Sequence, residues 1–192
     1  AVRDSSGIPK GIKTVLYVPT YRESDTTEKF EMDYQRVISA FEKRYRENWI
    51  MLIRIHPKMR EKAREIVPKT EKIVDVSLYP DIQELMVVAD ALITDYSSAV
   101  FDFILTYKPG FIYAINEQRY DIERGLYYPL TATPFTVARN NEELERNIIN
   151  FDAEEYSNRV TRFLQEKGSV DDGKASERTV RLIQTLLRRL GE

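Results

Sequence analysis

The chain has 192 residues, 42% hydrophobic and 31% charged, which suits one large globular domain or two small ones. Its formal net charge of -2 argues against a dedicated nucleic-acid-binding protein, which would normally be clearly basic. With no cysteine and a single histidine, the composition excludes disulfides, cysteine-based zinc sites, a cysteine nucleophile and multi-histidine metal sites. No signal-peptide pattern opens the chain, and charges interrupt every apolar run before it reaches membrane-spanning length.

Apolar runs and helical stripes alternate along the chain after a polar opening segment at 1–13, which we expect to be a linker or a frayed start. Compact apolar runs predict strands at 14–18, 49–55, 73–76, 91–94, 111–115 and 135–137. Apolar residues at helical spacing predict helices at 34–45, 62–66, 82–89, 100–107, 141–149, 153–165 and 175–190. The polar and aromatic segment 116–133 is expected to be a long loop, of the kind that is often functional.

This alternation predicts an α/β fold, with a parallel sheet covered by helices on both faces. The strands are continuous apolar runs, as expected when both faces are buried. Ligands of such sheets bind beyond the carboxyl ends of the strands, and polar clusters follow three predicted strands, at 19–22, 56–58 and 95–98. The sequence therefore predicts a binding site at this edge, although it has neither of the usual glycine-rich phosphate loops.

A turn containing Ser97 and Ser98 lies between a predicted strand and a predicted helix. Unpaired N–H groups of the first helical turn, the positive end of the helix dipole and two hydroxyls would together bind a phosphate. The alternative is that one serine only caps the helix. The neighbouring Asp95 could bond a ribose or a backbone N–H, or it could simply stabilise the turn.

His56 follows the strand at 49–55 and could donate to a phosphate or act in general acid–base catalysis. The alternative is a structural imidazole that bonds a loop carbonyl. Because side chains alternate along a strand, Arg54 is expected on the same side of the strand as His56. Arg22 could clamp a phosphate through two hydrogen bonds, or it could be an exposed loop arginine.

Four segments taken together resemble the CDP-glycerol glycerophosphotransferase family, the primases and polymerases of teichoic acid with their ribitol-phosphate relatives. They are Leu16-Tyr17-Val18-Pro19-Thr20-Tyr21-Arg22, Arg54-Ile55-His56-Pro57, Asp90-Ala91-Leu92-Ile93-Thr94-Asp95-Tyr96-Ser97-Ser98 with Phe101-Asp102, and Arg124-Gly125-Leu126-Tyr127. The segment 172–178 also resembles the start of the family's last helix. The resemblance implies a Rossmann-like domain that forms the C-terminal half of a GT-B fold. On this basis we expect residues 14–192 to form a single CDP-glycerol-binding domain, with the N-terminal acceptor domain absent from this chain.

The family's activity is the transfer of glycerol phosphate, or another polyol phosphate, from a CDP-polyol to a teichoic-acid-type or lipid-linked acceptor. The resemblance implies that His56 is catalytic. It implies that the donor contacts Thr20, Arg22, Arg54, Pro57, Thr94, Asp95, Tyr96, Ser97, Ser98, Arg124 and Tyr127. No metal ligand and no cofactor is assigned, and a role for Mg²⁺ stays open. The family's N-terminal part carries a further histidine thought to act in catalysis, so this chain is expected to be incomplete for turnover.

The full-length protein is expected to be cytoplasmic and attached peripherally to the inner face of the membrane, although the sequence shows no evident amphipathic anchor. Two other functions stay open: a GT-B glycosyltransferase or epimerase that uses a UDP-sugar, and a non-catalytic α/β binding module. The choice between glycerol and ribitol donors, between primase and polymerase, and of the acceptor also stays open.

Overall fold

A computed structural model describes residues 2–5, 7–20, 32–59, 66–126 and 129–190, with backbone alone at 4, 5 and 119. Its strands are β1 (Lys13–Val18), β2 (Trp49–Ile53), β3 (Ile73–Asp75), β4 (Ala91–Thr94), β5 (Gly110–Tyr113) and β6 (Thr136–Ala138). Its helices are α1 (Val2–Ser5), α2 (Tyr34–Tyr45), α3 (Ile82–Val88), α4 (Ala99–Phe103), α5 (Glu117–Arg124), α6 (Asn141–Ile149), α7 (Ala153–Glu166) and α8 (Ala175–Leu190). Short 3₁₀ turns occur at Pro57–Met59, Ile104–Thr106 and Leu130–Ala132.

The six described strands form one parallel sheet in the order β3-β2-β1-β4-β5-β6. Tyr17 of β1 pairs with Ile53 of β2, and Val18 pairs with Thr94 of β4, so the carboxyl ends of these three strands reach the same edge. The direction of strand addition reverses between β1 and β4, which is where open α/β sheets bind ligands. The predicted α/β fold with a helix-flanked parallel sheet is confirmed.

The core is apolar on both sides of the strands, as their continuous apolar sequences predict. Phe41 of α2 is fully buried, stacks on Trp49 with ring centroids 4.5 Å apart, and meets the edge of Phe111 at 5.8 Å. The amphipathic helices α2 and α6 pack against each other as well as against strands. These aromatic contacts join β2 and β5 through the helical layer.

The predicted loop at 116–133 contains the helix α5 and a 3₁₀ turn at Leu130–Ala132. The sequence of α5 is almost entirely polar, so it lacks the apolar stripe from which the other helices are predicted. The helix predicted at 100–107 is shorter than expected, because α4 ends at Phe103 and continues as a 3₁₀ turn that Tyr107 closes with a left-handed φ of 56°.

The expected linker at 1–13 contributes to the fold. Val2–Ser5 forms a short helix that packs on α3, and Ile8 is only 3% exposed within the core. β1 begins at Lys13, whose ammonium donates to Asp90 at 3.0 Å. The helix predicted at 62–66 lies almost wholly outside the described residues.

Helix α8 has no buried residue. Apolar side chains along it are about half exposed or more, namely Val180, Leu182, Ile183, Leu186, Leu187 and Leu190. Helix α8 therefore carries an apolar face that nothing in the described structure covers. None of the described helices is both long enough and apolar enough to cross a membrane.

Candidate functional site

A cavity of about 760 Å³ lies at the carboxyl edge of the sheet. Its walls come from the segments that follow β1, β2 and β4, and from the end of α5. The polar residues that line it are Thr20, Arg54, His56, Lys58, Asp95, Tyr96, Ser97, Ser98, Tyr120, Arg124 and Thr133. Pro57 also lines it. The three polar clusters that the sequence places after separate strands therefore converge on one space that is open to solvent.

The hydroxyls of Ser97 and Ser98 differ in their hydrogen bonding. Ser97 Oγ accepts a hydrogen bond from the Ala99 N–H at 3.3 Å, whereas Ser98 occupies the N-cap position without a side-chain capping bond and is exposed. The side-chain bond to the start of α4 thus comes from Ser97, one residue before the N-cap, and not from Ser98. Because α4 has only five residues, the expected contribution of a helix dipole is small, and the hydroxyls are the donors that the turn offers.

Asp95 ties the segment after β1 to the end of β4. Its carboxylate, on a residue only 8% exposed, accepts from the Thr20 N–H at 2.9 Å, the Thr20 hydroxyl at 2.8 Å and the Tyr96 N–H at 2.7 Å. These bonds give Asp95 a structural role, which is the alternative of turn stabilisation through backbone N–H groups. Thr94, a predicted donor contact, is fully buried, is not among the described lining residues and donates to the Val18 carbonyl at 2.5 Å.

His56 is half-buried on the cavity wall at the start of the 3₁₀ turn Pro57–Met59. Its Nδ1 accepts a hydrogen bond from the Lys58 N–H at 3.2 Å. A neutral imidazole with an accepting Nδ1 carries its proton on Nε2, so this bond selects one tautomer. The ring is thereby suited to donate through Nε2 to an anion.

Arg54 combines a structural role with a position on the cavity wall. It is 9% exposed, and its guanidinium donates to the carbonyls of Tyr79 and Pro80 at 3.3 and 3.4 Å. These bonds hold the segment that leads into α3. Lys58, which was not among the predicted donor contacts, lines the cavity and is exposed.

Helix α5 closes one side of the cavity. Arg124, a predicted donor contact, lines the cavity, and so does Tyr120, which was not among the predicted contacts. The Tyr120 ring stacks on Tyr96, with centroids 4.1 Å apart and planes 9° apart. A signal for Tyr120 existed in its spacing of four residues from Arg124, which puts both on one side of a helix. The predicted contacts Arg22 and Tyr127 lie outside the described residues.

The charge of the described lining favours an anion. Three permanent cations, Arg54, Lys58 and Arg124, face the cavity together with His56. Among the described lining residues the acidic side chain is Asp95, whose carboxylate already accepts from Thr20 and Tyr96. A ligand with one or more phosphates would meet hydroxyl donors and cations here.

A parallel sheet of this order, with its cavity at the reversal point, defines a Rossmann-like α/β domain of the kind that forms half of a GT-B fold. Comparison with known proteins gives the particular family. The chain belongs to the CDP-glycerol:poly(glycerophosphate) glycerophosphotransferase family, whose model matches residues 1–185. The family expected from the sequence motifs is thus confirmed.

Relatives of the chain include a transferase and a polymerase of teichoic acid. The chain is 30% identical over 188 residues to the teichoic acid glycerol-phosphate transferase of Staphylococcus aureus, covering 95% of this chain and 48% of that protein. It is 28% identical over 187 residues to the teichoic acid poly(glycerol phosphate) polymerase of Staphylococcus epidermidis, covering 92% of this chain and 25% of that protein. The chain therefore spans from a quarter to about half the length of these relatives.

Solved structures agree with this assignment. The wall teichoic acid polymerase TagF superposes with a TM-score of 0.74 at 27% identity, covering all of this chain and 47% of that one. The UDP-bound MnaA of S. aureus superposes with a TM-score of 0.53 at 20% identity, covering all of this chain and 50% of that one. The second likeness concerns the fold alone.

Proposed function

We propose that this chain binds the nucleotide and diphosphate of CDP-glycerol, or of a related CDP-polyol, and serves the transfer of polyol phosphate to a teichoic-acid-type acceptor. The observation that carries the proposal is the convergence of family-motif residues from separate segments, His56, Ser97, Ser98 and Arg124, on one cavity. Solved structures of TagF include soaks with CDPG, and we extend that donor to this chain. The acceptor would be held by a part of the protein beyond this chain.

In the proposed reaction an acceptor hydroxyl oxygen attacks the β-phosphorus of the donor. The bond from that phosphorus to the bridging oxygen breaks, CMP leaves with the bonding electrons, and the acceptor proton passes to a base outside this chain. Such chemistry depends mainly on positioning and on neutralising charge. We assign His56 to donate through Nε2 as negative charge develops on the departing phosphate.

In this proposal the serine hydroxyls donate hydrogen bonds to the donor phosphates, and the cations neutralise the phosphate charge. Ser98, whose hydroxyl makes no capping bond, donates to a non-bridging phosphate oxygen, with Ser97 beside it. Arg124 and Lys58 offset the diphosphate charge, and Arg54 adds charge from the wall that it also stabilises. Asp95 acts indirectly, because its carboxylate holds Thr20 and Tyr96 in place. Arg22 and Tyr127 keep their proposed donor contacts from the family motifs.

The test is a calorimetric titration of the chain with CDP-glycerol, CDP-ribitol and a UDP-sugar, each with and without Mg²⁺. We expect the CDP-polyols to bind, and His56→Ala and Ser98→Ala each to weaken binding roughly tenfold or more, because each variant removes a donor to a charged group. Ser176→Ala, on the exposed surface of α8, is the matched control and should bind as the parent does. Preference for the UDP-sugar would contradict the donor assignment, and failure to bind any nucleotide would favour a non-catalytic module.

We also propose that the whole protein works at the inner face of the cell membrane, as its resemblance to the family implies. Co-sedimentation of the full-length protein with vesicles of anionic phospholipid tests this attachment. Recovery of the protein in the supernatant at low and moderate salt would contradict it.

A further inference from the structure

We infer that Tyr120 is a positioning residue for the donor site: its ring, stacked on Tyr96, seats α5 against the cavity and so directs Arg124 toward the donor phosphates. This inference rests on the proposed function for its ligand. The seating of α5 can nevertheless be measured without any ligand.

The described side chains of helix α5 bury little apolar surface. None of its described side chains is buried, and all of them except Glu117 and Tyr120 are exposed. Glu117, at the start of the helix, pairs with Arg139 at 2.6 Å. A helix with so little apolar burial depends on individual contacts for its position. The ring of Tyr120 makes such a contact in the part of the helix that faces the cavity.

The stack between the rings of Tyr120 and Tyr96 is close. The centroid separation of 4.1 Å at 9° between planes is shorter than the usual aromatic range of about 4.5–7 Å. The backbone of Tyr96 is held in turn, because its N–H donates to the Asp95 carboxylate at 2.7 Å. Since Tyr96 directly precedes Ser97, the stack connects α5 to the serine turn.

The spacing of residues along α5 explains why a fixed position of Tyr120 would also fix the position of Arg124 at the cavity. Residues four apart lie on one side of a helix, and both of these side chains line the cavity. Ile122, two residues after Tyr120, is 88% exposed and does not line the cavity. The helix ends firmly after Arg124, because Gly125 adopts a φ of 77° and donates its N–H to the Asp121 carbonyl at 2.9 Å. Arg124 is therefore still part of the helix, and its backbone position depends on where the Tyr120–Tyr96 stack holds α5.

Binding of CDP-glycerol, measured by calorimetry on the chain, tests the link to Arg124. We expect Tyr120→Ala and Arg124→Ala each to weaken binding on the order of tenfold, the size of one lost bond to a charged group. Tyr120→Phe keeps the ring and should bind within about twofold of the parent, as should the control Ile122→Ala. If Tyr120 acts through Arg124, the double variant Tyr120→Ala/Arg124→Ala should bind no more weakly than Arg124→Ala alone. Multiplied effects in the double variant, or parent-like binding by Tyr120→Ala, would overturn the inference.

Amide hydrogen exchange without ligand tests the seating itself. In Tyr120→Ala we expect the amides of 117–126 to exchange on the order of tenfold faster while the β-strands keep their protection, with Tyr120→Phe and Ile122→Ala like the parent. Unchanged exchange in Tyr120→Ala refutes the seating. A parent chain that binds no CDP-polyol would count against the proposed function, and the exchange result would then decide the role of Tyr120 on its own.

Discussion

Replacing Asp95 by alanine should be among the most damaging single changes at the edge of the cavity. The substitution removes the acceptor for three donors, namely the Thr20 N–H, the Thr20 hydroxyl and the Tyr96 N–H. With Asp95 only 8% exposed, the donors left behind are shielded, although water in the cavity can reach some of them. The loss should therefore lie below the simple sum of three bonds.

The size of the expected stability loss depends on the fact that these hydrogen bonds are made to a charged carboxylate. A hydrogen bond to a charged group contributes about 1.5–3 kcal/mol, so partial rehydration leaves an expected loss of about 3–5 kcal/mol in the free energy of unfolding for Asp95→Ala. Asp95→Asn keeps one oxygen for the two N–H donors and offers its amide to the Thr20 hydroxyl, so it should lose only about 1–2 kcal/mol. Thr20→Val removes the hydroxyl bond alone, and because cavity water can take its place on the carboxylate, it should lose only about 1 kcal/mol.

Urea unfolding of the three variants and the parent measures these differences. We expect the order of stability to be parent, Thr20→Val, Asp95→Asn, Asp95→Ala, with unchanged dependence on urea concentration. If Asp95→Ala does not fold, the two milder variants still test the order. An Asp95→Ala chain within about 0.5 kcal/mol of the parent would refute the argument that this carboxylate joins the two segments. If Asp95→Asn were as stable as the parent but lost donor binding, the ribose contact would regain support.

Two further substitutions test the fold and its electrostatics. A Cβ at Gly110 would lie 2.8 Å from the Phe135 ring, so Gly110→Ala should lower the free energy of unfolding by about 1–3 kcal/mol in chemical denaturation, and a parent-like value would contradict this packing. Hydrogen bonding to Asp90 raises the pKa of Lys13 above its usual 10.5. The pair therefore stabilises the fold below that pH and loses its contribution as the pH rises through the folded-state pKa. In denaturation between about pH 8 and 11, Lys13→Met should show a smaller alkaline decline than the parent.

The strands and their alternation with helices could be predicted because the sequence patterns that indicate them are local. Each strand is a compact apolar run, and α2, α6 and α7 carry apolar stripes at helical spacing. Helix α5 gave no such signal, because its Tyr120 and Ile122 are two residues apart and cannot share a helical face. The opening segment looked like a linker because Ile8 is isolated between polar and glycine residues, yet its burial depends on packing that no local pattern reveals.

The candidate site was predictable as a location but only partly in its contacts. Polar residues after β1, β2 and β4 had to meet at one edge of a parallel sheet, which is a matter of topology. The partner of Asp95 is Thr20, 75 residues earlier in the chain, and nothing in either segment specifies that pair. The difference between Ser97 and Ser98 likewise depends on the backbone angles of the turn, which the residue types leave undecided.

The hydrogen bonds between Thr20 and Asp95 have a consequence for how the molecule folds. They can form only when β1 has paired with β4, so a large loop must close before the turn acquires its geometry. Contacts this distant in sequence slow folding. During synthesis, β1 would leave the ribosome well before β4, so the cavity edge that Thr20 and Asp95 form would appear only after β4 has emerged and paired.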